Sequence, residues 1–209
     1  LAFIAHYCGS GRSSYRVGTG CVGTAGGMSE PGSARVTRTF LPSFHCTYTG
    51  SSRKAYPNNK VIWQGVYGQY RAGYNNFNTG TLWFDEASAA LAGKTVYQAT
   101  LSLRRSNGGS SAARNVYLGA VALRQADWAT TYRPAFTAPS ALPAYPAGQL
   151  SRECEGVYDI TSLMAAVQQG YGIGVYEPCA AYGGSYSPHY TMFYGLGSDF
   201  VPVLTVTYS

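Results

Sequence analysis

The feature that most constrains this chain is a series of short apolar–polar alternations separated by turn residues. Successive side chains on a strand point to opposite faces, so period-two alternation implies strands with a buried side. The last segment is the clearest. Leu204, Val206 and Tyr208 share one face, and Val203, Thr205 and Thr207 the other. Phe44, Cys46 and Tyr48 alternate with His45 and Thr47, which predicts a half-buried strand. Residues 61–67 predict another, broken at Gly65, and residues 81–84 a short one. Residues 94–105 predict a strand with Tyr97, Ala99, Leu101 and Leu103 on one face, followed by a turn at Asn107-Gly108-Gly109. Val116, Leu118 and Ala120 oppose Tyr117, Val121 and Leu123, so both faces of that strand are expected to be covered. Strands are also expected over 157–160, 171–176 and 190–194.

Helical signals are few. Residues 85–93 (DEASAALAG) open on acids and stop at glycine. Residues 162–169 form a second short helix, with Thr161 expected to cap it and Gly170 to stop it. Many strands at turn spacing with two short helices predict an all-β, antiparallel β-sandwich, jelly-roll-like, over residues 35–209. Residues 1–34 are expected to be an N-terminal strand (2–7) and a Gly/Ser-rich attachment segment. Pro134, Pro139, Pro143 and Pro146 mark residues 126–150 as a long loop. A chain that starts at Leu1 rather than Met is expected to be part of something longer.

Composition narrows the function classes. Of 209 residues only 11% are charged, against about 25% in ordinary domains, while Tyr contributes 19 residues and Gly 26. This excludes a coiled coil and a charge-rich disordered chain. The net charge is +6, carried by 12 Arg and 3 Lys, yet there is no basic run; the densest cluster is Arg104-Arg105. Nucleic acid is therefore not expected as a partner, whereas acidic cell-surface polymers suit scattered arginines. No apolar run approaches about 18 residues, so membrane insertion is not expected. The five cysteines (Cys8, Cys21, Cys46, Cys154, Cys179) leave two readings open. One has up to two disulfides, such as Cys8–Cys21 and Cys154–Cys179, with Cys46 free and buried; the other has five reduced thiols.

Two blocks resemble known domains. One runs through Trp63-Gln64-Gly65-Val66-Tyr67-Gly68, then Asn78 to Phe84, then Leu91-Ala92-Gly93-Lys94, and ends with Ala99 to Arg105. It resembles β-sandwich domains of phage minor tail and receptor-binding proteins. The other runs through Tyr158 to Leu163, Gly170 to Val175 and Pro202 to Tyr208. It is similar to the C-terminal half of carbohydrate-binding-like sandwiches in secreted surface proteins and the same tail proteins. Together the blocks span about residues 60–208 in the expected order. The resemblance implies adhesion to host surface polymers rather than a conserved reaction.

Catalytic chemistry has little to draw on. Nine carboxylates are present. Glu153 and Glu155 could share one face of a strand, and paired carboxylates can cut glycosides, but residues two apart on a strand seldom bracket a substrate. Asp159 is expected to hold the backbone at the following helix start. His6, His45 and His189 share no short spacing, no G-x-S-x-G elbow occurs, and no Cys/His spacing suits zinc. Neither a cofactor nor a metal is expected.

Aromatic loops are the stronger signal. Tyr67, Tyr70, Tyr74 and Phe77 crowd a Gly/Asn/Gln segment with Arg71 and Asn76, and Tyr182, Tyr186 and Tyr190 surround Gly183-Gly184 and His189. Sugars present flat C–H faces and many hydroxyls, and a site for them needs aromatic platforms with polar donors. Trp63 and Trp83 lie on strands and are expected in the core. The ligand-binding set is therefore Tyr67, Tyr70, Arg71, Tyr74, Asn76, Tyr182, Tyr186 and His189. The expected function is a non-catalytic tail adhesin for a bacterial surface glycan or polymer, located on the virion tail. It is expected to form a homo-oligomer and to contact other tail subunits, since weak glycan sites gain from avidity. The alternatives are a secreted filament subunit assembled by N-terminal strand addition, and a glycan depolymerase.

Overall fold

A computed structural model describes residues 34–49, 57–66, 77–130, 145–175 and 189–209. The expected N-terminal strand at 2–7 and most of segment 1–34 lie outside them. Eleven strands are present among the described residues: β1 (Val36–Phe40), β2 (Phe44–Thr49), β3 (Val61–Val66), β4 (Phe77–Trp83), β5 (Val96–Gly109), β6 (Arg114–Arg124), β7 (Tyr145–Leu150), β8 (Glu155–Asp159), β9 (Tyr171–Val175), β10 (His189–Tyr194) and β11 (Val203–Tyr208). Two short helices, α1 (Asp85–Leu91) and α2 (Met164–Gln168), complete the set, with 3-10 turns at Gln125–Asp127 and Thr161–Leu163.

Every registered strand pair is antiparallel. The sheet runs β1-β11-β5-β10-β3-β4-β9-β6-β7, with β2 added to β4 and β8 to β5. It curls on itself into a half-barrel of jelly-roll-like character. The strand β5 makes the curl possible. Its first half pairs with β11 on one edge and β8 on the other, and its far end pairs with β10. At the other side, β3 meets only the first residues of β4, and β9 takes over along the rest of that strand.

The alternation read from the sequence fills the space between the layers. Leu101, Leu103, Leu204, Val206, Leu82, Val116, Leu118, Ile173 and Phe193 are all buried in one cluster. Burying a Leu or Val of this kind contributes about 1.5–3 kcal/mol. Both helices close that core. Ala87 and Leu91 of α1 and Met164 and Val167 of α2 face inward, and Gln168 Nε2 donates to the carbonyls of Leu91 (2.8 Å) and Lys94 (2.9 Å).

Several expectations are corrected. Strand β2 is covered on both faces, because His45 and Thr47 are as buried as Cys46 and Tyr48. A second cluster of Cys46, Tyr48, Trp83, Val121 and Leu123 lies behind it, with Phe44 and Trp128 packed against it. Tyr97 is exposed rather than inward, since a register shift pairs Gln98 with Thr207 and Val96 with Tyr208 and leaves Tyr97 unmatched. Gly65 does not break β3; it sits in it at φ 89 and pairs with Tyr190 and Asn78. Residues 107–109 extend β5 instead of turning, and the bend follows at 110–113. Strand β7 lies inside the segment expected to be loop. Thr161 does not cap α2: its hydroxyl accepts the Ala99 N–H at 2.9 Å and ties the 3-10 turn to β5. Gly170 does end the helix, at φ 81. Asp159 holds this turn as expected, accepting from Thr161 N (2.9 Å) and Thr161 Oγ1 (2.7 Å).

Candidate functional site

Of the eight predicted ligand-binding residues, Tyr67, Tyr70, Arg71, Tyr74, Asn76, Tyr182 and Tyr186 lie outside the described residues. His189 is the first residue of β10, and its side chain is also outside them. The strands that anchor these segments are described, and their register is informative. Segment 67–76 joins Val66 to Phe77, and segment 176–188 joins Val175 to His189. Val66 pairs directly with both His189 and Phe77. The two Tyr-rich segments are thus tethered to one group of adjoining strand ends, although they are more than a hundred residues apart in the chain.

Beside those ends the outward face of β3 and β10 carries an aromatic pair. Trp63 and Tyr190 stack with ring centroids 5.4 Å apart and planes 14° from parallel. Both are half-buried. Trp63 was expected in the core, but the odd residues of β3 point outward while Ile62 and Gln64 point in. Trp83 is in the core as expected, and its Nε1–H donates to the Leu123 carbonyl at 2.8 Å.

The end of β5 packs against the same place. Ser110 N–H donates to the Tyr190 carbonyl at 3.0 Å. Gly109 has φ 83, and a Cβ there would sit 2.6 Å from the Tyr190 oxygen, so the close approach requires glycine. The turn is held by arginines. Arg105, fully buried on the inward face of β5, donates from Nη1 to the carbonyls of Ala112 (2.8 Å) and Leu150 (2.5 Å) and from Nη2 to that of Ser110. Burial, with Arg152 and Arg114 nearby, pulls its pKa down to about 10. Arg104, its neighbour in sequence, faces outward because side chains alternate along β5.

Arg104 belongs to a second group. Its guanidinium lies 4.0 Å from the centroid of the Phe200 ring and 3.6 Å from Glu153 Oε2. Tyr194 OH donates to Glu153 Oε1 (3.1 Å) and Oε2 (3.2 Å), and Tyr194 and Phe200 rings are 5.0 Å apart. Burial and the Glu153 carboxylate both push the Tyr194 phenol upward, so it stays a donor. Glu155 accepts from Ser102 Oγ. Glu153 and Glu155 therefore do not share a strand face: Glu153 lies in the turn before β8 at φ 58 and reaches Tyr194, while Glu155 lies on β8 and reaches Ser102. Tyr194, Phe200 and Arg152 carry no signal of their own in the sequence reading, and Arg104 enters it only as part of the Arg104-Arg105 charge pair. The odd–even alternation of β5 and β10 is the signal that would have found Arg104 and Tyr194.

Elsewhere, His45 Nε2 donates to the Asn59 carbonyl (2.9 Å), and burial holds its pKa below the ordinary value. Cys46 is a free, buried thiol that burial raises to about 12. Cys154 is disulfide-bonded, its partner lying outside the described residues, which removes the reading of five reduced thiols. Among the described residues no group of three His, Cys, Asp or Glu is placed to hold a metal ion, and no helix is long and apolar enough to cross a membrane.

No protein-family model matches the chain, and no curated protein matches it significantly.

Proposed function

We propose that the chain is a non-catalytic adhesin domain that holds a bacterial surface glycan or polymer, working at the tip of a phage tail. The observation that carries this reading is the convergence at the β3/β10 end. Two Tyr-rich segments are tethered to adjoining strand ends, with the Trp63–Tyr190 stack beside them. Stacked rings offer a flat apolar surface to sugar C–H faces, and Tyr, Asn and Arg side chains in the segments offer the hydrogen bonds. Among the described residues, the carboxylates Glu153 and Glu155 are engaged within the fold, Glu153 with Tyr194 and Arg104 and Glu155 with Ser102. That supports holding a ligand over hydrolysing it. A disulfide at Cys154 fits an extracellular setting, where such bonds persist.

The test is binding of the native chain and of a Tyr70→Ala/Tyr74→Ala variant to an array of bacterial surface polysaccharides. Binding without turnover, weakened by about tenfold or more in the variant, is the expected result, given that aromatic anchors dominate such sites. Equal binding by both proteins would remove the 67–76 segment as the site.

The filament alternative has one observation in its favour. Strand β1 pairs only with β11 among the described strands, and four of its five residues are exposed. Such an edge can accept a strand from a neighbouring subunit. Concentration-dependent filaments in light scattering, lost on deleting residues 1–8, would shift the reading to that role.

A further inference from the structure

We propose that the polymer held at the β3/β10 end is anionic, its carboxylate or phosphate groups docking on the guanidinium cluster around Ser110. The inference rests on the glycan-binding reading above and names the charge of its ligand. Three arginines from three parts of the chain meet at one residue. Arg152 Nε donates to the Ser110 carbonyl at 3.1 Å, and Arg105 Nη2 donates to the same oxygen. Arg114 Nε donates to Ser110 Oγ at 3.1 Å. Arg152 Nη2 also donates to the Gly109 carbonyl. The Ser110 N–H, in turn, holds the backbone carbonyl of Tyr190, so the cluster is tied through the main chain to one member of the aromatic stack.

Arg105 and Arg152 are matched here with carbonyl oxygens, which carry only partial negative charge. No carboxylate contacts either of them among the described residues, and Glu153, the next residue after Arg152, turns to Arg104 and Tyr194 instead. Like charges gathered at one turn raise the local positive potential, on a chain already at +6. Arg105 is buried and fixes the turn, but Arg152 is exposed and has N–H groups beyond the two its carbonyl bonds use. A planar guanidinium with paired N–H donors matches a carboxylate or phosphate, which forms charge-assisted bonds about twice as strong as neutral ones. Aromatic rings beside a guanidinium cluster thus suit a glycan that alternates apolar ring faces with acidic groups. The acid could be a uronate or a phosphodiester, and both present the same oxyanion.

The experiment measures binding of the full chain to polygalacturonate, to poly(glycerol phosphate), to neutral dextran and to duplex DNA at about 0.05 and 0.2 M salt, a range over which screening changes strongly. Binding to either acidic glycan over dextran by about tenfold or more, weakening as salt rises, is expected. Whichever acidic glycan binds identifies the source of the oxyanion. Arg152→Gln should weaken that binding about tenfold with an unchanged melting temperature, and Arg152→Lys should keep the salt dependence while losing part of the affinity. Dextran binding as tightly as the acidic glycans would overturn the inference and leave the glycan reading standing. Binding to none of the glycans would overturn both. DNA binding more tightly than either acidic glycan would overturn the inference in favour of a nucleic-acid surface, as would unchanged affinity in Arg152→Gln.

Discussion

The two layers of the sandwich are built from similar strands but treat their outer faces differently. In the layer of β2, β4, β9 and β6 both faces are largely buried, with Ala122 and Arg124 of β6 exposed. The inner side joins the main core, and the outer side carries Cys46, Tyr48, Trp83, Val121 and Leu123 beneath Phe44 and Trp128. Among the polar groups of this layer, Tyr48 OH donates to the Trp128 carbonyl at 2.9 Å and Asn78 Nδ2 donates to the Gly65 carbonyl at 3.0 Å, while Thr81 Oγ1 and His45 Nδ1 are buried without a hydrogen-bond partner. In the layer of β1, β11, β5 and β8 only the inner face is buried. Its outer face carries Thr37, Thr205, Thr207, Gln98, Thr100, Ser102 and Arg104, none of them buried. The contrast teaches where a ligand can act. The first layer is a double-sided scaffold; the second, and the end it shares with β3 and β10, holds the open side chains.

The largest expected effect separates the two outer faces. Trp83→Ala removes the centre of the second cluster and strands the Leu123 carbonyl. It should cost about 3–5 kcal/mol, read as a shifted denaturant midpoint. A cost near zero would mean that this outer face is not a core.

A smaller effect sharpens the same contrast through pH. His45 belongs to the double-sided layer, and burial depresses its folded pKa. The neutral ring is therefore favoured in the folded state. Its contribution is fully present above the unfolded value of about 6.5 and is lost as pH falls toward the depressed folded value, because only the unfolded chain takes up the proton. The native protein should lose melting temperature between about pH 7.5 and 5.5 faster than His45→Gln does. Parallel curves would contradict the assignment.

The smallest effect belongs to the open face. Thr205→Ala and Thr207→Ala should each change stability by no more than about 0.5 kcal/mol, since neither is buried. Losses comparable to Trp83→Ala would show that something covers this face.

Much of this architecture was legible because strand alternation is a local signal. The faces of β11, β6 and the middle of β5 follow directly from Leu204–Val206–Tyr208, Val116–Leu118–Ala120 and Ala99–Leu101–Leu103. What was not legible depends on neighbours. Whether His45 and Thr47 face water depends on β3 and the strands behind them. The exposure of Tyr97 comes from a register shift against β11, which no single strand announces. Gly65 and the Asn107–Gly109 run carry turn signals, yet cross-strand pairing holds them in strands. The site was partly legible in the same sense. Tyr-rich segments stand out by composition, but their common anchorage rests on Val66 pairing with His189 and Phe77 at long range. The meeting of Arg105, Arg114 and Arg152 at Ser110 also has no local signature.

On the proposed reading, the β3/β10 end, with its Trp63–Tyr190 stack, holds the surface polymer. The most direct measurement is tryptophan fluorescence during titration of the native chain and of Trp63→Phe with surface polysaccharide, with Trp83 and Trp128 as the remaining fluorophores. A saturable spectral change is expected in the native chain, largely lost in Trp63→Phe while the melting temperature is kept. An undiminished change in Trp63→Phe would contradict it, since the polymer would then be bound elsewhere.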